Sequence, residues 1–144
     1  FGDPETQAVL MRLDSDLAEA LTAAADGRLH EVSLRWSAEA AVCVVMAAAG
    51  YPGTVRRGDA IVGIEAAEAG GAVVFHAGTG RDAAGRLVTA GGRVLGVTAR
   101  GASIRAAAEA AYRAVGRIAW EGASYRRDIA HRAWNTPPTS RQLG

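Results

Sequence analysis

The first seven residues, FGDPETQ, place two carboxylates close together at the predicted start of a helix. Asp3 and Glu5 could orient a cationic amine there, while free backbone N–H groups of the same helical turn could hold an anion. A purely structural role is equally compatible with these residues. Asp3 can cap a helix whose first residue is Pro4, and Glu5 is a favourable charge in a first turn. From the residues alone, both interpretations stay open.

Two glycine-containing segments, HAGT at 76–79 and GGR at 91–93, form a second candidate site. They occupy comparable places in neighbouring predicted hairpins, so a sheet could bring them side by side as one ligand-facing edge. Gly78 would let the backbone approach a ligand, and Thr79 offers a hydroxyl. Arg93 could bind a phosphate through a two-pronged contact that lysine cannot reproduce. The alternative is ordinary hairpin chemistry with a solvated Arg93.

Other common catalytic motifs are absent from the sequence. It contains no G-x-x-x-x-G-K, G-x-G-x-x-G or G-x-S-x-G pattern, and its three histidines and one cysteine are scattered. All 16 basic residues are arginine, which excludes a catalytic lysine from this chain, and the net charge of +1 argues against a nucleic-acid partner. No run approaches twenty apolar residues, so we expect no membrane segment. The single cysteine, Cys43, excludes an internal disulfide and favours a cytoplasmic location.

The spacing of apolar residues predicts the elements that position these groups. Two consecutive helices, or one helix broken at 14–16, are expected before Gly27. An uncharged run at 40–49 with a β-branched centre predicts a strand buried on both faces, followed by a turn at 51–53. The clearest amphipathic helix lies within 102–118, with Ser103 as a plausible cap.

Three shorter apolar runs, at 72–75, 87–89 and 93–99, are separated by glycine-rich stretches. Glycine pairs between short apolar runs are hairpin signals, and the pattern favours an antiparallel meander. Residues 54–70 are expected to be a loop with a short strand at best. The fold class is therefore predicted to be α+β, a small and largely antiparallel sheet with helices packed on it.

Five blocks of sequence, taken in order, resemble the C-terminal part of the phosphoribosylamine–glycine ligase (glycinamide ribonucleotide synthetase) family of ATP-grasp enzymes. The resemblance covers about residues 1–134, and the separations between blocks are similar. The blocks are FGDPETQ at 1–7, VVMAAAGYPG at 44–53, VFHAGT at 74–79, GGRVLGVTA at 91–99 and YRRDIAHRA at 125–133.

This resemblance implies an enzyme of purine biosynthesis that joins glycine to 5-phosphoribosylamine with ATP and a divalent metal, Mg or Mn. In the family, an acyl phosphate of glycine forms first and the ribosylamine nitrogen then attacks it. The family's metal-binding Glu and Asn come a few residues before the residue that matches Phe1. We therefore expect this chain to be a fragment, cut through an active-site strand. Alone, it is expected to be inactive and to bind neither ATP nor metal.

The resemblance also divides the chain into parts. Residues 1–36 would form the helical end of the ATP-grasp region, 37–134 the C-terminal α+β domain and 135–144 a disordered tail. The fragment would pack on the N-terminal and ATP-grasp lobes of the complete ligase.

The expected site residues combine both candidate sites, and no metal ligand is expected from this chain. Two alternatives stay open: a non-catalytic packing or ligand-binding module, and the C-terminal part of another ATP-grasp carboxylate–amine ligase. The expected catalytic residues are Asp3 and Glu5, and the expected substrate-binding residues are Gly2, His76, Gly78, Thr79 and Arg93.

Overall fold

The computed structural model of the protein describes residues 2–135, so Phe1 and nearly all of the predicted tail at 135–144 lie outside the described residues. A 3₁₀ turn spans Leu29–Glu31. The helices are α1 (Glu5–Leu10), α2 (Leu17–Ala25), α3 (Ile64–Glu68), α4 (Ile104–Val115) and α5 (His131–Asn135). The strands are β1 (Ala40–Ala47), β2 (Val73–His76), β3 (Thr79–Arg81), β4 (Leu87–Thr89), β5 (Arg93–Gly101) and β6 (Ser124–Tyr125).

A four-stranded antiparallel sheet in the order β2-β5-β1-β6 forms the centre of the fold. Helix α4 covers one face of β1 and β5, and α1 contacts the same two strands. Successive strand residues point to opposite faces. In β1, Val44 and Met46 accordingly join the core with α4, whereas Cys43 and Val45 line a cavity on the other face. The predicted α+β class and the buried strand are confirmed.

The predicted meander is wrong, because β5 pairs with β1 and β2 while β3 and β4 form a separate two-stranded ribbon. Strands β1 and β5 have eight and nine residues and are the longest in the described chain. Pairing them buries more apolar surface than any pairing of the three-residue strands β3 and β4 could. Burial of the long strands therefore outweighs the preference for sequential neighbours.

The two predicted N-terminal helices are confirmed, and the side chain of Asp16 caps α2 by accepting two backbone N–H bonds. Capping of α1 by Asp3 is wrong. Pro4 occupies the cap position without a side-chain bond, and the Asp3 carboxylate binds Arg93 and Gln7 instead. A charged partner and an amide donor compete successfully with the backbone for this carboxylate.

Residues 54–70 contain a short helix, α3, that the sequence pattern did not predict. Gly63 begins it with φ of 89°, and a Cβ there would overlap the carbonyl of Arg117. A positive φ and this close approach both favour glycine. The predicted long helix is confirmed as α4, with Ser103 as its cap, although Ile104 on its expected buried face is 39% exposed.

Gly101 marks the closest approach of β5 to α4, because a Cβ there would lie 2.4 Å from the backbone nitrogen of Ala107. We expect Gly101→Ala to lower the free energy of unfolding by about 1–3 kcal/mol, since helix and strand must separate. Chemical denaturation of the 144-residue chain measures this. Gly80→Ala is the control, because its Cβ would lie 3.4 Å from the Ala90 side chain. Equal stability of the two variants would contradict the prediction.

Candidate functional site

A cavity of about 440 Å³ opens on the face of the sheet that carries α1. Val45 and Ala47 contribute apolar surface from β1, and Pro4 approaches from the segment before α1. Two aromatic rings, Tyr51 and Tyr125, also line it. The walls can therefore pack against a flat, partly apolar ligand.

Two arginines, Arg93 and Arg126, add positive charge to the lining of the same cavity. Arg126 forms two parallel bonds with the carboxylate of Asp128, at 2.9 and 2.7 Å, which hold the pKa of Asp128 below its ordinary value. The hydroxyl of Tyr112 on α4 donates to the carbonyl of Arg126 at 2.8 Å and accepts the N–H of Ile129 at 3.0 Å. The segment that carries Arg126 is thus fixed to the long helix.

Four of the five blocks that carry the family resemblance contribute to this cavity. Pro4 comes from the block at 1–7, and Tyr51 from the block at 44–53. Arg93 comes from the block at 91–99, and Arg126 from the block at 125–133. Segments far apart in sequence thus converge on one site.

A β-bulge aims Arg93 into the cavity. Met46 pairs with Leu95, but the next residue of β1, Ala47, pairs with Arg93, so β5 has one extra residue at this point. Strict alternation from Leu95 would have placed Arg93 on the α4 face. The bulge moves it to the face of Ala47 and the cavity.

Asp3 and Arg93, predicted as members of two different sites, bind each other at the edge of this cavity. Nη2 of Arg93 lies 3.0 Å from Oδ2 of Asp3, and Nη1 donates to the Asp3 carbonyl at 3.4 Å. Both side chains are part-exposed, at 37% for Asp3 and 45% for Arg93. Glu5 is exposed on the first turn of α1, and its side chain has no hydrogen bond or ion pair to another described residue.

The predicted adjacency of segments 76–79 and 91–93 is confirmed. The Gly78 N–H donates to the carbonyl of Arg93 at 2.9 Å, and the Gly91 N–H donates to the carbonyl of Gly78 at 3.1 Å. A Cβ at Gly78 would lie 2.6 Å from the Arg93 oxygen. Glycine is therefore needed at 78 for the approach of one backbone to another, whatever further contact it makes with a ligand.

The side chains of the two segments do not share one cavity. His76 lines a second cavity of about 420 Å³ beside α3, together with Glu65 and Arg81, whereas Arg93 lines the first. Nδ1 of His76 lies 3.1 Å from Oγ1 of Thr79. The predicted single edge is thus divided between two cavities, and substrate-binding roles for His76, Gly78 and Thr79 stay predictions.

Cys43 lines the first cavity, whereas the predicted site residue Gly2 does not. The carbonyl of Gly2 accepts the backbone N–H of Thr6 at 2.8 Å, so its visible role is to start α1. Burial raises the pKa of the Cys43 thiol, the nearby Thr98 side chain partly opposes the rise, and the negative charge of Asp3 adds to it. The thiol is therefore neutral at physiological pH and is a weak nucleophile.

Sequence patterns did not indicate Tyr51, Tyr125 and Arg126 as cavity residues. The only signal for them was membership in two of the family blocks, since no local motif marks them. Among residues 2–135, no group of three or more His, Cys, Asp or Glu side chains could hold a metal ion. No helix in the described part of the chain has both the length and the apolar character needed to cross a membrane.

Comparison with known proteins gives a family match across most of the sheet domain. Residues 41–132 match the family model described as phosphoribosylglycinamide synthetase, C domain. The chain belongs to this family. The resemblance inferred from the five blocks is thereby confirmed. The match lies within the predicted domain at 37–134, while the three-part division of the chain stays a prediction.

Named relatives of this synthetase C domain agree. The chain is 54% identical to chloroplastic phosphoribosylamine–glycine ligase of Arabidopsis thaliana, covering 92% of this chain and 25% of that protein. It is also 54% identical to the Streptomyces coelicolor phosphoribosylamine–glycine ligase, over 92% of this chain and 33% of the relative. The crystal structure of the Thermotoga maritima ligase superposes with a TM-score of 0.69 at 32% identity, covering 89% of this chain and 31% of the other. The chain thus spans a quarter to a third of the length of these three proteins.

The raised pKa of Cys43 predicts how its reactivity depends on pH. In the native chain, alkylation should stay slow through the ordinary thiol pKa of 9.0 and accelerate only above it, whereas the unfolded chain should accelerate around 9.0. Because the folded pKa is the higher one, this group's contribution to stability is complete below pH 9.0 and is lost as pH rises through the folded pKa. Iodoacetamide rates against pH, with and without guanidinium, test this. A native midpoint at or below the unfolded one would contradict it.

Proposed function

We propose that this chain is the C-terminal part of an ATP-dependent ligase that joins glycine to 5-phosphoribosylamine in purine biosynthesis. The observation that carries the proposal is the convergence of four family blocks on one cavity, which is lined by two arginines and has the Asp3–Arg93 pair at its edge. The Arabidopsis and Streptomyces relatives support this ligase over another ATP-grasp carboxylate–amine ligase, because both bear its name.

The cavity suits the phosphoribosylamine end of the reaction. Guanidinium groups of Arg93 and Arg126 can hold a phosphate monoester by paired N–H bonds. Tyr51 and Tyr125 supply flat surface for a sugar ring, and a volume of about 440 Å³ is in the range of small-molecule sites. We propose that the phosphate enters between the arginines, with the amine directed towards Asp3.

Asp3 and Glu5 then orient the amine for attack. A carboxylate can accept about four hydrogen bonds through its two oxygens, so Asp3 retains acceptor capacity beyond its bonds to Arg93 and Gln7. Glu5, which is exposed on the same helix as Gln7, can accept a hydrogen bond from a second N–H of the amine. Holding the nitrogen in one direction lowers the entropic part of the barrier, and a carboxylate can receive the proton that the nitrogen releases.

ATP and its divalent metal, Mg or Mn, are assigned in this proposal to the part of the ligase outside this chain. The described residues offer no cluster that fits a metal ion, so no proposed step passes through one. The isolated chain is accordingly proposed to be inactive in ligation. A cytoplasmic location is proposed as well, since the single cysteine is free and buried.

An apolar groove on the N-terminal helices supports the proposed contact with the rest of the ligase. It has a volume of about 440 Å³ and is made by residues between 6 and 36, outside the family match at 41–132. Burying one large apolar side chain stabilises a protein by about 1.5–3 kcal/mol relative to leaving it exposed. Leaving this groove exposed to water is therefore unfavourable. Its large exposed side chains are Leu17, Leu21, Leu29, Leu34 and Trp36.

We propose that the remaining two thirds or more of the ligase chain cover this groove. The Arabidopsis and Streptomyces relatives are three to four times as long as the matched segment, which leaves ample chain to do so. The competing view of a free-standing packing or ligand-binding module would leave these side chains uncovered. The groove thus favours a piece of a larger enzyme.

The phosphate-binding role predicts a selective defect in Arg93→Lys, tested in a complete ligase that contains this sequence. Lysine keeps the charge but loses the fork, so KM for phosphoribosylamine should rise by about tenfold, equivalent to roughly 1.4 kcal/mol. The melting temperature should stay within about 2 °C, because part-exposed ion pairs contribute about 0–1 kcal/mol.

Arg100→Lys is the matched control. Arg100 lies on β5, as Arg93 does, and pairs with Asp14 at 3.5 Å, but it does not line the cavity. It should leave KM unchanged. Equal KM values for wild type, Arg93→Lys and Arg100→Lys would remove Arg93 from the substrate site.

The docking role predicts that Leu21→Glu affects the complete ligase but not the isolated 144-residue chain. Leu21 is 61% exposed, so in the 144-residue chain the change should leave the melting temperature unchanged and reduce binding of a hydrophobic dye. In the complete ligase it should lower the melting temperature, because a charge enters a covered apolar contact. Val62→Glu is the control at 60% exposure outside the groove, and should be neutral in both. Neutral behaviour of Leu21→Glu in the complete ligase would contradict docking at the groove.

A further inference from the structure

Gln7 on α1 connects the Asp3–Arg93 pair to the face of the sheet. Its Nε2 donates to Oδ1 of Asp3 at 2.9 Å, while Oδ2 of Asp3 faces Arg93 at 3.0 Å. The orientation of the amide is settled by chemistry, because an ionised carboxylate only accepts hydrogen bonds and must meet the NH₂ group. Each oxygen of Asp3 therefore has a different partner.

The other end of the amide is held in an unfavourable place. Oε1 of Gln7 is buried and has no hydrogen-bond partner among the described residues. A buried polar atom without a partner destabilises a fold, and an apolar side chain of similar length, such as methionine, would avoid that cost. Because this cost offsets the hydrogen bond that Nε2 donates to Asp3, stability alone does not explain an amide at this position.

The side chain of Gln7 packs over strand β5. A Cβ at Gly96 of β5 would lie 3.9 Å from Cγ of Gln7, an ordinary packing distance, and 3.2 Å from Sγ of Cys43. The same strand carries Arg93 at its beginning. One strand therefore supports both partners of Asp3.

We propose that Gln7 is a positioning residue that prevents Asp3 from closing on Arg93 with both carboxylate oxygens. Arginine and carboxylate favour a two-pronged contact, and such a contact would direct both oxygens of Asp3 at the guanidinium. Because Gln7 retains Oδ1, the carboxylate meets Arg93 through Oδ2 alone, and the second bond from Arg93, made by Nη1, goes to the Asp3 carbonyl. The N–H donors of Arg93 that do not face Asp3 stay available to an anionic ligand, and one carboxylate oxygen stays directed away from the guanidinium. This inference rests on the proposed function of the cavity.

Gln7→Met in a complete ligase containing this sequence is the test. Methionine keeps the length and packing of the side chain, removes the donor to Asp3 and removes the unpartnered oxygen. We expect kcat/KM for phosphoribosylamine to fall about 10- to 100-fold, with an increased KM because Asp3 now masks Arg93. The melting temperature should be unchanged or higher.

Ala8→Gly is the matched control on the same helix. It weakens α1 through helix propensity without touching Asp3 or Arg93, so it should lower the melting temperature while kcat/KM stays within about twofold. Assays run well below both melting temperatures. An active wild type with equal kcat/KM in Gln7→Met would overturn the role of Gln7. Loss of activity in Gln7→Met only in proportion to a lowered melting temperature would also overturn it. A complete wild-type enzyme that fails to ligate glycine would instead overturn the proposed function.

Discussion

The antiparallel pairing of β1 with β5 is the constraint on which both the core and the candidate site depend. Each of these strands is long, apolar and buried on both faces, so their register decides which side chains enter the core and which line the cavity. On one face, Val44, Met46 and Val97 pack with the alanine-rich face of α4. On the other, the strands support α1, with Gln7 over Gly96. The bulge that shifts the register before Ala47 directs the charged side chain of Arg93 into the cavity.

Sequence patterns were sufficient to predict those helices and strands that depend on neighbouring residues. The helix break at 14–16, the cap Ser103, the uncharged run of β1 and the periodicity of α4 depend on residues within a few positions of each other, and each prediction holds. Strand order depends on pairing between segments some fifty residues apart, which no local pattern encodes. The five-residue helix α3 was missed because one and a half turns carry too little periodicity to distinguish helix from loop.

The candidate site was partly predictable for the same reason. Residue chemistry singled out Asp3 and Arg93, each for a plausible ligand contact, but they lie ninety positions apart, so their contact could not be anticipated. The bulge that makes this contact possible has no local sequence mark, since the residues around it, Val94 and Leu95, continue an ordinary strand pattern. Tyr51 and Arg126 reach the cavity from a turn and from the end of a two-residue strand, where apolar periodicity gives no information.

The electrostatics of the cavity explain how positive charge can be kept at a site that is proposed to bind a phosphate. Arg93 and Arg126 are each paired with an aspartate, Asp3 and Asp128, so neither arginine presents an unbalanced charge to the part-apolar walls. All four side chains are at least a third exposed, and ion pairs at that exposure contribute only about 0–1 kcal/mol. A dianionic phosphate therefore loses little by displacing one of these contacts and gains two charge-assisted bonds from a planar fork. The exchange would also release Asp3 from Arg93 at the moment the substrate arrives, so binding of the phosphate and presentation of the carboxylate to the amine become one event.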